Sequence, residues 1–316
     1  MQYINSIASK NNNEKPIEHH QPNTSRKSSK KFFILKKESR SHRTSNTTSD
    51  SIYIGKYLNT KRNGIGKLIL SDHSVYEGNF KNGLFDGKGY YKDKNYIYKG
   101  EYLLGKKSGK GKLENLETKT IYEGEFKNDM KNGYGIEQYN DGIIYQGYFK
   151  DNKKEGMGKL IMKNNSGYEG QFKKNKICGK GIFKWSETKM YDGEWDNNEI
   201  SGFGILTEND IKHIGYFSHD KKEGFGASFY TEKKFVIISK WVNDTIDGIA
   251  IIISLSLNED KSEDFKNEKI VIIKEGNIIK NEFNENEINE IKKNKDYNEM
   301  MKLFRDKFIN LYLNKS

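Results

Sequence analysis

The amino-acid sequence predicts a mainly β protein: a single-layer antiparallel β-meander solenoid of about nine 23-residue β-hairpins, with a disordered tail ahead of it and an amphipathic helix behind it. Three observations carry that reading. Glycine and aromatic residues are both plentiful, at 30 glycines and 13% aromatics, although only 34% of the 316 residues are hydrophobic. The glycines are periodic, 25 of the 30 falling into three fixed slots of one frame. That frame begins at residues 53, 76, 98, 122, 145, 168, 191, 213 and 237, a mean spacing of 23 with no interval off by more than one. A fixed period of this size is the mark of a repeat architecture. The low aliphatic content argues against a thick single core, and the aromatic content argues against disorder throughout.

The frame is plain from its first copy. Tyr53-Ile-Gly55-Lys-Tyr57 is followed by Gly64-Ile-Gly66, and Tyr76-Glu-Gly78-Asn-Phe80 by Gly87-Lys-Gly89. Tyr98, Gly100, Tyr102, Gly109 and Gly111 repeat it, as do Tyr122, Gly124, Phe126, Gly133 and Gly135. Copies five to seven open on Tyr145, Tyr168 and Tyr191, with second aromatics Phe149, Phe172 and Trp195. The eighth opens on His213, and the ninth is eroded to Ile237, Ser239, Trp241, Gly248 and Ala250. Tyr, Gly and the second aromatic stand at alternate positions and so share one face of a strand, with polar residues such as Glu123 and Glu125 on the other. Six mainly polar residues then form a loop, and a second strand starts at Gly-x-Gly, whose bare face leaves room for an aromatic ring. Short turns join one hairpin to the next, most clearly at Asn140-Asp141-Gly142. The product is a long meander of hairpins stacked in register.

The frame Tyr-x-Gly-x-aromatic followed by Gly-x-Gly resembles the MORN (membrane occupation and recognition nexus) repeat, over about residues 53–250. The resemblance implies a non-catalytic repeat protein, since many MORN proteins organise cortical cytoskeleton, axonemal parts or membrane contacts, and members in apicomplexan parasites serve the budding apparatus. Some members carry a lipid-kinase or SET methyltransferase domain, but the residues after Ala250 show no catalytic motif.

The regions outside the repeat array of residues 51–257 differ in composition. Residues 1–50 are basic and rich in Ser, Asn and Lys, and read as disordered. Within them Arg26–Lys37 surrounds the apolar tetrad Phe32–Leu35. It reads either as a solvated tail contributing an edge strand or as a contact for an anionic membrane, weakened by phosphate on Ser28 or Ser29. Residues 258–284 offer capping strands, Ile270–Ile273 and Ile278–Ile279 around Glu275-Gly276-Asn277. In residues 285–316, Tyr297, Met301, Phe304, Phe308 and Leu311 form one apolar seam of a helix. That helix either packs back over the C-terminal end of the sheet or serves docking or dimerisation.

Catalytic and cofactor chemistry finds no constellation. One cysteine, Cys178, placed in a hairpin loop, builds neither a disulfide nor a Cys-rich zinc site. The six histidines show no metal-like pairing, and His213 takes a tyrosine slot as a packed ring. The Gly-x-Gly pairs lack the context of a phosphate loop. We therefore expect no enzyme activity, no cofactor, no metal and no small-molecule substrate. The longest apolar-leaning run, Ile249–Leu257, is too short to span a bilayer, and Met1–Lys15 has no signal-peptide core. This predicts a soluble cytoplasmic protein associated with cytoskeleton or membrane. The net charge of +11 includes only five arginines, which speaks against nucleic acid.

Two surfaces are candidates for binding. The aromatic face, Tyr76, Phe80, Tyr98, Tyr102, Tyr122, Phe126, Tyr145, Phe149, Tyr168, Phe172, Tyr191 and Trp195, is expected to be partly exposed on a single-layer sheet. It would bind protein partners, another copy of the chain, or the C-terminal helix. The loop edge carries a net +9 over the first six copies and −4 over the last three. Lys61, Arg62, Lys106, Lys107, Lys153, Lys154, Lys173, Lys174 and Lys176 are expected there as a basic ridge for anionic lipid such as phosphoinositides. The preferred reading is an elongated scaffold or adaptor, with lipid binding as the alternative.

Overall fold

A computed structural model describes residues 51–257 and 263–314. The tail of residues 1–50, with its Arg26–Lys37 segment, lies outside the described residues. The protein is mainly antiparallel β with a C-terminal helical segment, and it divides into two units, one ending at Lys163 and the other beginning at Asn164.

The first unit holds five hairpins: β1 (Ile52–Leu58) with β2 (Lys61–Ile69), β3 (Val75–Lys81) with β4 (Leu84–Lys92), β5 (Tyr96–Leu103) with β6 (Lys106–Asn115), β7 (Ile121–Lys127) with β8 (Met130–Gln138), and β9 (Ile144–Lys150) with β10 (Lys153–Ile161). Within the unit consecutive strands pair antiparallel, and the glycines meet across strands, Gly55 with Gly66 and Gly66 with Gly78. The second unit continues the pattern in β11 (Gly167–Lys173), β12 (Lys176–Lys184), β13 (Lys189–Asp196), β14 (Glu199–Glu208), β15 (Ile211–Ser218), β16 (Lys221–Tyr230), β17 (Phe235–Val242) and β18 (Thr245–Leu257). Beyond these, β19 (Glu263–Lys274) runs along β18 and the four-residue β20 (Asn277–Lys280) pairs with β19.

The six-residue loop expected inside each hairpin is a two-residue turn. Both turn residues take positive φ, as at Asn59 and Thr60, Asn128 and Asp129, or Asn197 and Asn198. This geometry matches the twist of the flanking strands and favours Asn, Asp and Gly. Of the other four residues of the supposed loop, the first ends the first strand, as Lys127 ends β7, and three begin the second, as Met130, Lys131 and Asn132 begin β8. Cys178 accordingly lies within β12, paired with Gln171, and not in a loop.

Within each unit, turns also fasten to the hairpin before them. The amide of Asp129 donates to the Lys107 carbonyl while the Asp129 carboxylate accepts from the Lys107 amide, at 3.0 and 2.8 Å. The same reciprocal pair joins Asn152 to Lys131, Asn198 to Ile177, Asp220 to Ile200 and Asp244 to Lys222. One short side chain thus serves the left-handed backbone and the joint together.

The three glycine slots divide their work. The first glycine of Gly-x-Gly has positive φ in every copy and lies at a register shift, where the strand bulges. The other two make the ring seat. The ninth copy shows the division: with Ile237 in the tyrosine slot the seat is filled by Ser239 and Ala250, yet Gly248 remains, at φ +101° with nothing near its missing Cβ.

After the strands come α1 (Glu285–Lys293), α2 (Lys295–Leu303), a single π turn at Phe304–Phe308, and α3 (Ile309–Asn314). The expected single helix is interrupted at Asn294, whose extended backbone ends α1 while its side chain caps the N-terminus of α2. Asn284 and Glu287 form a reciprocal capping box at the start of α1.

Candidate interaction faces

The aromatic slots form the core of the sheet. Each tyrosine ring lies flat over the two seat glycines of its own hairpin. A Cβ on Gly89 would stand 2.5 Å from Tyr76 Cε2, and one on Gly181 2.2 Å from the Tyr168 hydroxyl. The hydroxyl passes over the seat and donates to the carbonyl three residues on, from Tyr76 to Asn79 at 2.9 Å and from Tyr191 to Glu194 at 3.1 Å. That carbonyl belongs to the residue skipped by the register shift within its own hairpin, Asn79 between Gly78 and Phe80 and Glu194 between Gly193 and Trp195. The second aromatics then close the row edge to face: Tyr98 meets Tyr102 of its own copy and Phe126 of the next, both at 5.2 Å.

The consequence corrects an expectation. None of the twelve residues from Tyr76 to Trp195 proposed as an exposed binding stripe is more than 6% accessible. Rings from neighbouring hairpins cover one another, so a sheet of one layer buries its own aromatic face. Burial raises the hydroxyl pKa of Tyr76, Tyr98, Tyr122, Tyr145, Tyr168 and Tyr191, and these hydroxyls stay protonated donors.

The basic ridge also divides. Lys61, Lys106, Lys153, Lys173, Lys174 and Lys176 are exposed beside the turns, as expected. Lys107 and Lys154 are buried, and Arg62 is half-buried between the rings of Tyr53 and Phe80. The reason is the short turn: the residue two before the first glycine of Gly-x-Gly is a strand residue facing the rings. Lys107 places its ammonium 5.3 Å from the Tyr98 ring centre, Lys131 lies likewise on Tyr122, and Lys154 on Tyr145 at 5.1 Å. Phe85, Ile177 and Ile200 fill the same slot elsewhere.

These buried lysines sit in two environments. Lys131 and Lys154 share Glu137, the one acid in a slot that otherwise holds residues such as Leu68, Leu113 and Leu160. Tyr139 donates to Glu137 and accepts from Lys154 at 2.8 Å. Burial opposes the charge on Glu137, but the two ammonium groups outweigh it and hold its pKa at about 2. Lys107 has a leucine at the matching position, and its Nζ finds no hydrogen-bond partner. Burial pushes its pKa down to about 8.

The opposite face differs between the units. In the first it is wet, with cross-strand pairs such as Lys67 with Glu77 at 3.5 Å and Lys112 with Glu123 at 3.8 Å. Tyr134, Tyr148 and Met157 stand exposed among them. In the second unit the same slots turn apolar, at Ile205, Ile214, Ala227, Ile238 and Ile251, and the helical segment covers them. Tyr297, Met300, Met301, Phe304 and Phe308 are buried there, and Tyr297 donates to Glu268 at 2.6 Å. The helix thus packs back on the C-terminal strands, one of the two readings of the sequence, but on the face opposite the aromatic stripe for which it was one possible cover. His213, in its tyrosine slot, is fully buried between Phe217 and Trp241 and shares a 2.8 Å hydrogen bond with Ser228, and burial lowers its pKa well below 6.5. Among the described residues no group of three or more His, Cys, Asp or Glu is placed to hold a metal ion, and no helix is long and apolar enough to cross a membrane.

The arrangement has relatives. The sequence pattern of the MORN repeat matches residues 53–75, 76–96, 98–114, 122–144, 145–167, 168–187, 191–207 and 213–227. Alsin of Rattus norvegicus is 36% identical over 93 residues, and Alsin of Homo sapiens 34% over 93 residues. Each alignment covers 28% of this chain and only 6% of the relative. Among solved structures, the SAS-4 (dCPAP) TCP domain of Drosophila melanogaster, in complex with a proline-rich motif of Ana2 (dSTIL), aligns over 71% of this chain and 97% of its own. The sequence identity is 11% and the TM-score 0.26, a likeness too slight to build on.

Proposed function

The chain belongs to the MORN repeat family, and from the build of its two faces we propose that it is a non-catalytic scaffold or adaptor. It would bind protein partners or a second copy of itself, and organise cytoskeletal or membrane-associated structures in the cytoplasm. One observation carries the reading: in the second unit the opposite face already holds a helix in an apolar cluster from Ile205 to Phe308. The sheet is thus a surface on which helices seat, while the aromatic residues of its ring slots are consumed by the fold. The test is recovery of partners from native cells by proximity labelling with the full chain, together with its mass in solution by light scattering. A reproducible partner set or a defined oligomer is expected. A monomer with no partner above background would sink the scaffold.

A second reading has its own observation. The exposed lysines beside the turns, Lys61, Lys106 and Lys153 in the first unit and Lys173, Lys174 and Lys176 in the second, form a basic edge in each unit. Such an edge attracts anionic lipid headgroups, phosphoinositides included. Sedimentation with anionic vesicles, but not neutral ones, and loss of that binding at high salt would support it. Equal sedimentation with both would remove it.

A further inference from the structure

We propose that the opposite face of the first unit, at Tyr134, Tyr148 and Met157, is a docking platform for an amphipathic helix of a partner protein that presents a basic residue followed by an aromatic one. The proposal rests on the scaffold reading and names the class of partner.

The chain carries its own template for this contact. Phe203 and Tyr216 face each other across β14 and β15, edge to face at 5.3 Å and 69°. On that pair sits the π turn. Lys307 places its ammonium 3.4 Å from the centre of Phe203 and 5.6 Å from that of Tyr216, and Phe308 stacks over Phe203 at 6.2 Å and 18°. Tyr134 and Tyr148 occupy the same two slots of an earlier repeat. They face each other across β8 and β9, edge to face at 5.5 Å and 75°. The likeness extends to the flank. Glu194 accepts from the Phe203 amide at 3.2 Å, and Glu125, its counterpart, lies against Gly133 beside Tyr134. On the following strand Met157 stands where the second unit has Phe225.

The difference is coverage. Tyr134, Tyr148 and Met157 are 41%, 53% and 54% exposed, and the chain's own helix is committed to the second unit. Charge complementarity selects the occupant: two ring faces next to a carboxylate favour a cation over an acid, as Lys307 shows on the equivalent pair. The surroundings set the strength. Where the second unit has Ile214 and Ala227, the first has Gln146 and Lys159, and Gln146 donates to the Tyr134 hydroxyl at 2.6 Å. That wetter margin suits a helix that comes and goes, as against one packed for good.

The test uses the full chain and a fluorescent peptide of residues 295–311, the segment that makes the template contact. The peptide can also exchange onto the second unit, so the deciding quantity is the difference between wild type and the double variant Y134A/Y148A. Saturable binding is expected, weakened at least tenfold by Y134A/Y148A and several-fold by K307Q in the peptide, and kept by Y148F. If Y134A/Y148A unfolds the first unit, Y148K replaces it, pointing outward and repelling the basic residue. Affinity unchanged by these variants, or no saturable binding, overturns the platform. Native partners retained equally by wild type and Y134A/Y148A would also overturn it while leaving the scaffold standing. Peptide binding lost with Y134A/Y148A, without any native partner, would support the platform and remove the scaffold.

Discussion

The strands up to Lys163 and those from Asn164 are built from the same slots, and on the ring face they are alike. In both, tyrosines lie on paired glycines and second aromatics close the row. On the other face they part. The first unit leaves that face to ion pairs, glutamine and exposed large side chains such as Ile65, Tyr134, Tyr148 and Met157, whereas the second loads it with isoleucine and phenylalanine under a helix. The comparison teaches that one buried face suffices for a sheet of this kind. A row of interlocked rings closes itself, and the second face is free either to stay wet or to take a layer.

The sharpest way to break the comparison is to strip that layer. Phe304→Ala should cost the second unit about 3–5 kcal/mol, as truncation of a buried phenylalanine does, and leave the first unit's unfolding unchanged. Chemical denaturation followed by hydrogen exchange in each unit would show it. An equal loss in both units would refute the assignment of that layer to the second unit alone.

Next in size is the charge cluster of the first unit. Glu137→Leu restores the usual residue of its slot but leaves Lys131 and Lys154 buried without their carboxylate. It should destabilise by about 3 kcal/mol. Adding K131M and K154M should recover most of that loss, and a triple variant no better than E137L would contradict the account.

A third prediction touches the face the units share. Gly181→Ala forces a Cβ into the Tyr168 hydroxyl and should cost about 1–3 kcal/mol. The alanine already at position 250 is harmless because its copy has Ile237 in place of tyrosine. A melting curve for G181A equal to wild type would mean that the ring is not fixed in its seat.

The smallest effects are in pH. His213 is protonated in the unfolded chain below its ordinary value of 6.5 but resists protonation when folded. The unfolded state binds the extra proton, so the second unit should lose stability as pH falls below about 6.5, and H213Y should flatten that loss. Lys107 acts at the other end. Its folded pKa of about 8 against an ordinary 10.5 means the unfolded state holds its proton longer, so the first unit gains stability from pH 8 upward. The gain reverses above about pH 10, where unfolded tyrosines ionise and buried ones such as Tyr76 and Tyr98 do not. K107M should remove the alkaline gain. Lys222, half-covered over Trp241, acts in the same sense in the second unit.

The fold was readable because its repeat is written in glycine and aromatic residues, the two types whose size matters most where ring meets backbone. The faces were less so. Alternation carried two places back from Gly-x-Gly puts Arg62, Lys107 and Lys154 among the rings, but six polar residues in a row read as a loop. Asn or Asp beside position 129 or 152 was the sign that the turn is only two residues long. The side taken by the helix was also written, in the change from Glu123 and Lys112 to Ile205, Ile214 and Ala227 at the wet slots. The cover over the aromatic stripe was not, because it comes from rings one repeat away and no single repeat contains it.

The Asn and Asp joints between hairpins have a consequence for how such a chain changes over evolutionary time. Asp129 grips the backbone of Lys107, and Asn152 grips that of Lys131, through the same two main-chain atoms whatever side chain those residues bear. The joint is therefore indifferent to which hairpin it meets. Within a unit, a whole copy can be gained or lost and the ends will still fit, so length becomes a variable set in steps of one hairpin. A protein that must match the span of something else can be recut without redesign.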